Sequence, residues 1–287
     1  MRFGDRQVVG IDEFGLGQAE IVGLAGESGS GKSMTTLAIL GLAHTVGATV
    51  SGSIRLDGTE LTSLPQRELL AIRGRRIAAI FQSPALAFSP VFKVGSVVLR
   101  ALRRHGMSRA EAVDAAGRAM RQVLLAPDLL DRYPAQLSGG QLQRVAIALA
   151  LALRAEVLLA DEPTSALDVT VQAEVLDLLR GLRERDGMSV LLISHDLAVV
   201  AELCDRVAIM QAGAIVEQGP VGQVLAAPQH EYTADLLAAV PRVGAAPAAP
   251  KGRGADWTEE RGSEERATER RGKEAPQSAP EAQGDRA

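Results

Sequence analysis

The feature that most constrains this chain is the run Gly-Glu-Ser-Gly-Ser-Gly-Lys-Ser at residues 26–33, called here the phosphate loop. It has the spacing G-x-x-x-x-G-K-S, follows the apolar segment Ala19–Ala25 and precedes the helix-patterned segment Ser33–Ala43. Such glycines let backbone N–H groups surround a phosphate, and a helix N-terminus adds partial positive charge. Lys32 would reach the β- and γ-phosphates, and the Ser33 hydroxyl would bind Mg²⁺. A chance Gly/Ser turn is the alternative, but both flanks favour a nucleoside triphosphate site.

A second apolar segment, Val157–Ala160, is followed by the acidic pair Asp161 and Glu162. A buried strand here would deliver Asp161 to Mg²⁺ and hold Glu162 where it can polarise a water molecule against the γ-phosphate. Acidic pairs also occur at ordinary strand ends, so the pair alone leaves both interpretations open. The phosphate loop, which begins 135 residues before Asp161, favours the functional one.

Two further polar residues follow apolar, strand-like segments. Gln82 comes after Arg76–Phe81, and its amide would contact Mg²⁺ or the attacking water. His195 comes after Ser189–Ser194, and its imidazole would donate to a γ-phosphate oxygen and orient the water. Taken singly, the two are better explained as a solvated loop glutamine and a structural histidine. A functional role for Gln82 and His195 is supported only by the presence of the other motifs.

Residues 138–141, Ser-Gly-Gly-Gln, open the long apolar helix Gln141–Leu153 and are called here the Ser138 turn. They form a second helix N-terminus that is able to bind an anion. One chain thus has two such helix ends and only one lysine-bearing loop. The simplest explanation is a head-to-tail dimer, in which each Ser138 turn covers the nucleotide on its partner's Lys32 loop. Asp168 would lie at the seam of that dimer.

Strand-like and helix-like segments alternate through the first 243 residues. This alternation predicts an α/β fold with a mainly parallel sheet and functional loops at the carboxyl ends of the strands. The pair Asp57-Gly58 predicts a hairpin, and Asp205–Gln211 with Gly213–Glu217 predicts a terminal one. Helical periodicity with few strand formers predicts a helical insertion at about residues 84–155.

The last 44 residues, 244–287, differ from the rest of the chain. They contain eight basic and nine acidic residues, four prolines, and Trp257 as the single large apolar side chain. Such a segment buries too little apolar surface to offset its chain entropy, which predicts a disordered tail. A solvated charged helix over residues 259–274 is the alternative.

Composition argues against several classes of function. Five Phe, two Tyr and one Trp are too few for a protein that stacks single-stranded nucleic acid, and a net charge of −4 disfavours wrapping DNA. The single cysteine, Cys204, excludes an intramolecular disulfide and cysteine-based zinc or iron–sulfur sites. The longest uncharged apolar run, Val145–Leu153, is half the length that a bilayer helix requires. We therefore expect a cytosolic chain that does not cross a membrane itself.

Five motifs in this order resemble those of the ATP-binding subunit of an ABC transporter: GESGSGKS, the FQ pair at residues 81–82, LSGGQLQR, LLADEPTSALD and ISHD. The resemblance covers essentially residues 1–243. It implies a P-loop NTPase core of the RecA type with a mainly parallel sheet, an antiparallel β subdomain and an inserted α-helical subdomain. It also implies ATP and Mg²⁺ as ligands, and ATP hydrolysis coupled to transport.

The resemblance implies a role for each matched residue. Glu162 would be the catalytic base, His195 the switch histidine, Gln82 the Q-loop glutamine and Asp168 part of the D-loop, while Lys32 would assist catalysis. The residues expected to bind ATP are Phe3, Gly26, Glu27, Ser28, Gly29, Ser30, Gly31, Lys32, Ser33 and Met34, with Ser138, Gly139, Gly140 and Gln141 acting from the partner subunit. The residues expected to bind Mg²⁺ are Ser33, Gln82 and Asp161.

The segment Pro228–Leu237, which reads Pro-x-His-x-Tyr-Thr-x-x-Leu-Leu, is similar to the ATPases of dipeptide, oligopeptide and nickel importers. In physical terms it predicts an amphipathic closing helix packed on the sheet. The resemblance implies transmembrane permease subunits as partners, a second identical or related ATPase subunit, and indirectly a substrate-binding protein. It places the chain at the cytoplasmic face of the membrane, without a nucleic-acid partner.

Two features depart from the family pattern. Phe3 lies 23 residues before Gly26, where an adenine-stacking aromatic is expected, but almost nothing precedes it, whereas family members usually begin with a β-strand. Either that strand is missing or the chain starts further upstream, and an ordinary core residue is the alternative for Phe3. Residues 83–90 keep only loosely the family's Asp-Pro…Ser-Leu-Asn-Pro segment, which faces the membrane partner.

Two other members of the same family remain as alternatives to an importer subunit. One is the ATPase subunit of an exporter. The other is a soluble ABC ATPase that acts on ribosomes or DNA. Family members that act on ribosomes usually contain two cassettes, and those that act in DNA repair contain a long coiled coil. This chain has one cassette and no sustained heptads, which disfavours both.

Overall fold

The computed structural model describes residues 1–83, 87–165 and 167–239. Its centre is a six-stranded sheet. The strands of this sheet are β3 (Ile21–Ala25), β6 (Ile77–Ile80), β7 (Val157–Asp161), β8 (Ser189–Ser194), β9 (Arg206–Gln211) and β10 (Ala214–Pro220). Their spatial order is β10-β9-β3-β8-β7-β6, and all neighbours are parallel except β10, which pairs antiparallel with β9. The predicted α/β fold with a mainly parallel sheet is confirmed.

Helices follow most of these strands. They are α1 (Lys32–Ile39), α2 (Gln66–Ile72), α3 (Val94–Arg104), α4 (Arg109–Gln122), α5 (Gly139–Leu153), α6 (Val169–Asp186), α7 (Leu197–Leu203), α8 (Val221–Ala226) and α9 (Glu231–Ala239). Short 3-10 helices span Ala43–Val46, Pro127–Asp131 and Pro134–Gln136. Between β6 and β7, the regular elements in the described residues are all helices, as expected for a helical insertion in this part of the chain.

Strands β3, β7, β8 and β9 are buried on both faces of the sheet, which is usual for parallel strands connected by helices. Successive side chains of one strand point to opposite faces. On β7, Leu158 packs in a cluster with α3, α4 and α5, while Leu159 packs in a second cluster beneath α1. The continuous apolar run of these strands therefore reflects two cores, one on each face.

Four short strands form two antiparallel pairs outside the central sheet: β1 (Arg2–Phe3), β2 (Arg6–Gln7), β4 (Arg55–Leu56) and β5 (Thr59–Glu60). Asp57 and Gly58 join β4 to β5 with φ values of 46° and 78°, the left-handed conformations that a two-residue hairpin turn requires. The predicted Asp-Gly hairpin is therefore confirmed. Arg76, just before β6, pairs with both Asp57 and Glu156 and so joins this hairpin to the central sheet.

The order of the strands brings three separate chain segments to one edge. Since β3, β8 and β7 are adjacent and parallel, the residues that follow them lie side by side at their carboxyl ends. These residues include Gly26, His195 and Glu162. A binding site is expected at such an edge in an open α/β sheet.

Within the described part of the chain, no helix combines the length and the apolar character needed to cross a membrane. The predicted tail, residues 244–287, lies outside the described residues, as do residues 84–86 of the segment that departs from the family pattern.

Candidate functional site

The phosphate loop connects β3 directly to α1. Gly26, Gly29 and Gly31 have φ values of 148°, 84° and 109°, in the region that side chains disfavour. A Cβ atom on Gly26 would lie 2.1 Å from the carbonyl oxygen of Met210, so β9 leaves no room for a larger residue. Gly31 caps α1 without any side-chain hydrogen bond. The first amides of α1 therefore face the loop, and in the described part of the chain no side chain caps them.

Lys32 is held inside this loop. Its side chain is largely buried, and Nζ donates to the carbonyl oxygens of Gly26 at 2.7 Å and Glu27 at 2.8 Å. Burial lowers the pKa of Lys32, and the nearby carboxylates of Glu162 and Asp161 oppose that shift. A cation fixed at this place, where little water screens it, is suited to bind a phosphate group.

Asp161, the last residue of β7, is 4% exposed. No hydrogen-bond donor among the described residues reaches its Oδ1. Burial raises the pKa of the Asp161 carboxyl, and the nearby Ser33 hydroxyl offsets only part of that shift. A buried carboxylate oxygen without a partner, next to a serine hydroxyl, fits the oxygen-donor set that Mg²⁺ shares with nucleotide phosphates.

Glu162 follows Asp161 in a left-handed conformation, with φ at 51°. Its backbone N–H donates to the carbonyl oxygen of Ile193 on the neighbouring β8, at 2.9 Å. Nδ1 of His195 lies 2.8 Å from each oxygen of the Glu162 carboxylate, and the His195 backbone N–H donates to Oε1 at 3.1 Å. The two predicted residues are thus in direct contact, with a Glu162 side chain that is 13% exposed and a His195 side chain that is 60% exposed.

Lys32, Ser33, Glu162 and His195 line one cleft of about 560 Å³. The residues predicted to bind ATP within one chain all line the cleft, except Ser30, which is buried. Gln82 lines the cleft as well. Asp161 does not line the cleft and is buried next to Ser33. Val8 and Leu236 line the cleft without having been predicted. The sequence around Leu236 predicted a closing helix packed on the sheet, but it did not predict a contact with the cleft.

The Ser138 turn lies outside this cleft. The Ser138 Oγ accepts from the Gln141 N–H at 3.2 Å, and the Gln141 Oε1 accepts from the Ser138 N–H at 2.9 Å, which forms a capping box. A Cβ atom on Gly140 would lie 2.4 Å from Cγ1 of Val171 on α6. Asp168 caps α6 by accepting from the Val171 N–H at 3.0 Å. The turn and the Asp168 segment are therefore packed together.

Residues 11–165 match the family model described as ABC transporter. The chain belongs to the ABC transporter family. A probable peptide ABC transporter ATP-binding protein of Sinorhizobium fredii is 46% identical over 246 residues, which are 83% of this chain and 73% of that protein. The glutathione import ATP-binding protein GsiA of Escherichia coli O157:H7 is 46% identical over 241 residues, which are 81% of this chain but 39% of GsiA.

Solved structures of ABC cassettes share the fold. The dimeric structure of MJ0796, a bacterial ABC transporter cassette, is 31% identical and has a TM-score of 0.64 over 72% of this chain and 88% of that one. A dimeric post-hydrolysis state of MJ0796 bound to ADP and Pi is 30% identical, with a TM-score of 0.62 over the same shares. Together with the cleft, these relatives identify the chain as an ATP-binding ABC ATPase.

Proposed function

We propose that this ABC cassette hydrolyses ATP in the cleft beside the phosphate loop to power peptide import through separate permease subunits. The observation that carries the site assignment is the convergence of Lys32, the adjacent pair Asp161 and Glu162, and His195 from three chain segments. The import of peptides is supported by the relatives, one named as a peptide transporter protein and another as a glutathione importer.

In the proposed reaction, Glu162 accepts a proton from the attacking water, and His195 orients its carboxylate. The ring and backbone contacts of His195 fix both carboxylate oxygens, which holds the base in one orientation before ATP enters. Because Nδ1 donates to the Glu162 carboxylate, Nε2 can donate to a γ-phosphate oxygen only in the form of the ring that carries a proton on both nitrogens. Lys32 stabilises charge on the β- and γ-phosphates.

Ser33, Asp161 and Gln82 would hold Mg²⁺, which neutralises phosphate charge when bound. The buried Oδ1 of Asp161, which has no hydrogen-bond partner among the described residues, supports this assignment. In the described residues there is no group of three His, Cys, Asp or Glu side chains able to hold a metal. We therefore propose that nucleotide oxygens supply much of the coordination shell of the Mg²⁺ ion.

The cassette is proposed to act as a dimer at the cytoplasmic face of the membrane, with an identical or related ATPase subunit. Each Ser138 turn would then cover the ATP of the partner subunit. The capping box uses the Ser138 Oγ as an acceptor, so its hydroxyl proton stays free to donate to a γ-phosphate. Dimeric assembly of the MJ0796 cassette supports this proposal.

The Glu162→Gln variant tests the reaction, because it keeps the size of the side chain and removes the base. We expect ATP binding to persist, turnover to fall by about 10²- to 10⁴-fold, and an ATP-bound dimer to accumulate. Turnover is measured as phosphate release, and the dimer by light scattering. Glu184→Gln, at an exposed position of α6, is the matched control and should behave as wild type. Normal turnover by Glu162→Gln would remove Glu162 from its proposed role.

Purification of the chain from its native membrane tests the transport assignment. Two permeases and a substrate-binding protein should accompany it if it powers import. Permeases without any substrate-binding protein would point to export, and ribosomes or DNA in their place would contradict transport.

A further inference from the structure

Helix α9 reaches the phosphate loop from the far end of the chain. The Tyr232 hydroxyl accepts a hydrogen bond from the backbone N–H of Glu27 at 3.0 Å, across 205 residues of sequence. Tyr232 is 9% exposed. Leu236, one helical turn later on the same face, lines the cleft beside Glu27 and Ser28. The family match, which ends at residue 165, does not include this helix.

The peptide unit between Gly26 and Glu27 is bound at both ends. Its carbonyl oxygen, on Gly26, accepts from the Lys32 ammonium at 2.7 Å. Its N–H, on Glu27, donates to the Tyr232 hydroxyl. The same peptide plane is therefore fixed between the cation of the loop and a side chain of α9. A rotation of this plane would break both hydrogen bonds, so the tyrosine helps to set where Lys32 points.

The start of α9 is itself anchored to the sheet. The Glu217 carboxylate on β10 accepts from the backbone N–H groups of Gln229 at 2.8 Å and His230 at 3.1 Å. Burial acts to raise the pKa of Glu217, but its hydrogen bonds outweigh burial and leave that pKa lowered. Thr233, next to Tyr232, is fully buried. The hydroxyl is thus presented to the loop by a helix with a fixed position.

We propose that Tyr232 is a positioning residue of the ATP site, which makes α9 part of the nucleotide-binding machinery. The proposal rests on the ATP site assigned above. Tyr232 holds the Gly26–Glu27 peptide in the orientation that receives phosphate and keeps Lys32 in place. Since the loop surrounds phosphates that ADP and ATP share, the loss of this hydrogen bond weakens the binding of both nucleotides.

The Tyr232→Phe variant of the full chain is the decisive test, because it removes one hydroxyl and keeps the ring. We expect the Kd for ADP and for a non-hydrolysable ATP analogue, measured by isothermal titration, to rise by about 2- to 10-fold. The KM for ATP should rise by the same factor, with kcat within about twofold of wild type. Unchanged Kd and KM, or a lower kcat at unchanged KM, would overturn the proposal. A lower melting temperature with unchanged Kd would do the same, since it indicates a purely structural role.

The chain contains a matched control and a second variant. Tyr133, the other tyrosine, is exposed and does not line the cleft, so Tyr133→Phe should leave Kd and KM unchanged.

Glu217→Gln loosens the anchor of α9 without touching the loop, and should also raise Kd, by a smaller factor. Glu217→Gln keeps the proposal testable if Tyr232→Phe does not fold. In that case, a Kd of Glu217→Gln equal to that of wild type would count against the proposal. If wild-type protein bound neither nucleotide, the ATP site itself would be wrong, whereas equal binding by wild type and Tyr232→Phe would remove only the role of Tyr232.

Discussion

The phosphate loop and the Ser138 turn are both Ser/Gly-rich helix N-termini, yet the structure builds them in opposite ways. The phosphate loop ends at Gly31, which leaves the first amides of α1 without a side-chain cap, and it encloses the buried Lys32. The Ser138 turn is closed on itself, because Ser138 and Gln141 satisfy each other's backbone N–H groups at an exposed position.

This difference shows why one chain is expected to hold ATP at the first site and only to cover it with the second. An uncapped N-terminus next to a fixed cation offers several donors to one phosphate. A capped N-terminus keeps only the donors that its cap does not use, here the Ser138 hydroxyl proton and free amides of the turn. The variants below test this contrast, from the largest expected effect to the smallest.

Lys32→Ala should have the largest effect. Loss of charge-assisted hydrogen bonds of about 1.5–3 kcal/mol predicts an ATP affinity that is lower by roughly 10- to 150-fold. Isothermal titration measures the affinity, and a thermal melt verifies the fold. Lys93→Ala, at an exposed lysine on the segment before α3, is the control and should bind ATP normally. An unchanged affinity in Lys32→Ala would contradict the phosphate-loop assignment.

Ser138→Ala should leave ATP binding by the monomer intact and lower the ATPase rate about 10- to 100-fold, because it removes a donor that acts from the partner subunit. Phosphate release at saturating ATP measures this rate. The substitution also removes a helix cap, worth about 1 kcal/mol of folding free energy.

Two control variants separate the donor from the cap. Ser108→Ala removes the same type of capping box from α4, which does not line the cleft, and should cost stability without a loss of turnover. Ser138→Asp restores a cap without a hydroxyl donor, and should recover stability but not activity. Full activity of Ser138→Asp would show that the hydroxyl has no catalytic part.

Gly140→Ala should destabilise the cassette by about 1–2 kcal/mol, because the added Cβ would overlap Val171. Denaturant unfolding measures this loss. The double variant Gly140→Ala with Val171→Ala should recover most of it. Gly139→Ala, whose Cβ would meet nothing nearer than 3.9 Å, is the control. Equal effects at both glycines would mean that packing on α6 does not explain Gly140.

Gln141→Ala should have the smallest effect, about 0.5–1 kcal/mol of folding free energy, since it removes one of the two hydrogen bonds of the capping box. Thermal unfolding is sensitive enough to detect it. Gln141→Glu keeps an acceptor at this position and should be close to wild type. A large loss in both variants would indicate a contact beyond the cap.

The sequence predicted most of the fold and the composition of the cleft for a local physical reason. Apolar runs such as Ser189–Ser194 become buried parallel strands, and the polar residue after each strand reaches the same edge of the sheet. The Asp57-Gly58 turn and the phosphate loop are also local, because glycine at left-handed positions determines their backbone. The roles of Glu162, His195 and the Ser138 turn stay predictions, as do the domain boundaries.

Other features depend on contacts between distant segments, and the sequence did not reveal them. Phe3 was expected to be the one aromatic residue at the nucleotide site, but Tyr232 also contacts the phosphate loop. His195 was predicted to donate to phosphate, and that role stays a prediction, whereas its contact with the Glu162 carboxylate was not foreseen.

The motifs by themselves determined that this chain has a phosphate loop, an acidic strand end and a helical insertion, because each depends on residues close in sequence. Only the tertiary structure decided that β8 lies between β3 and β7, and that α9 returns to Glu27. A side-chain contact across 205 residues follows from the packing of the whole domain, and no local periodicity encodes it.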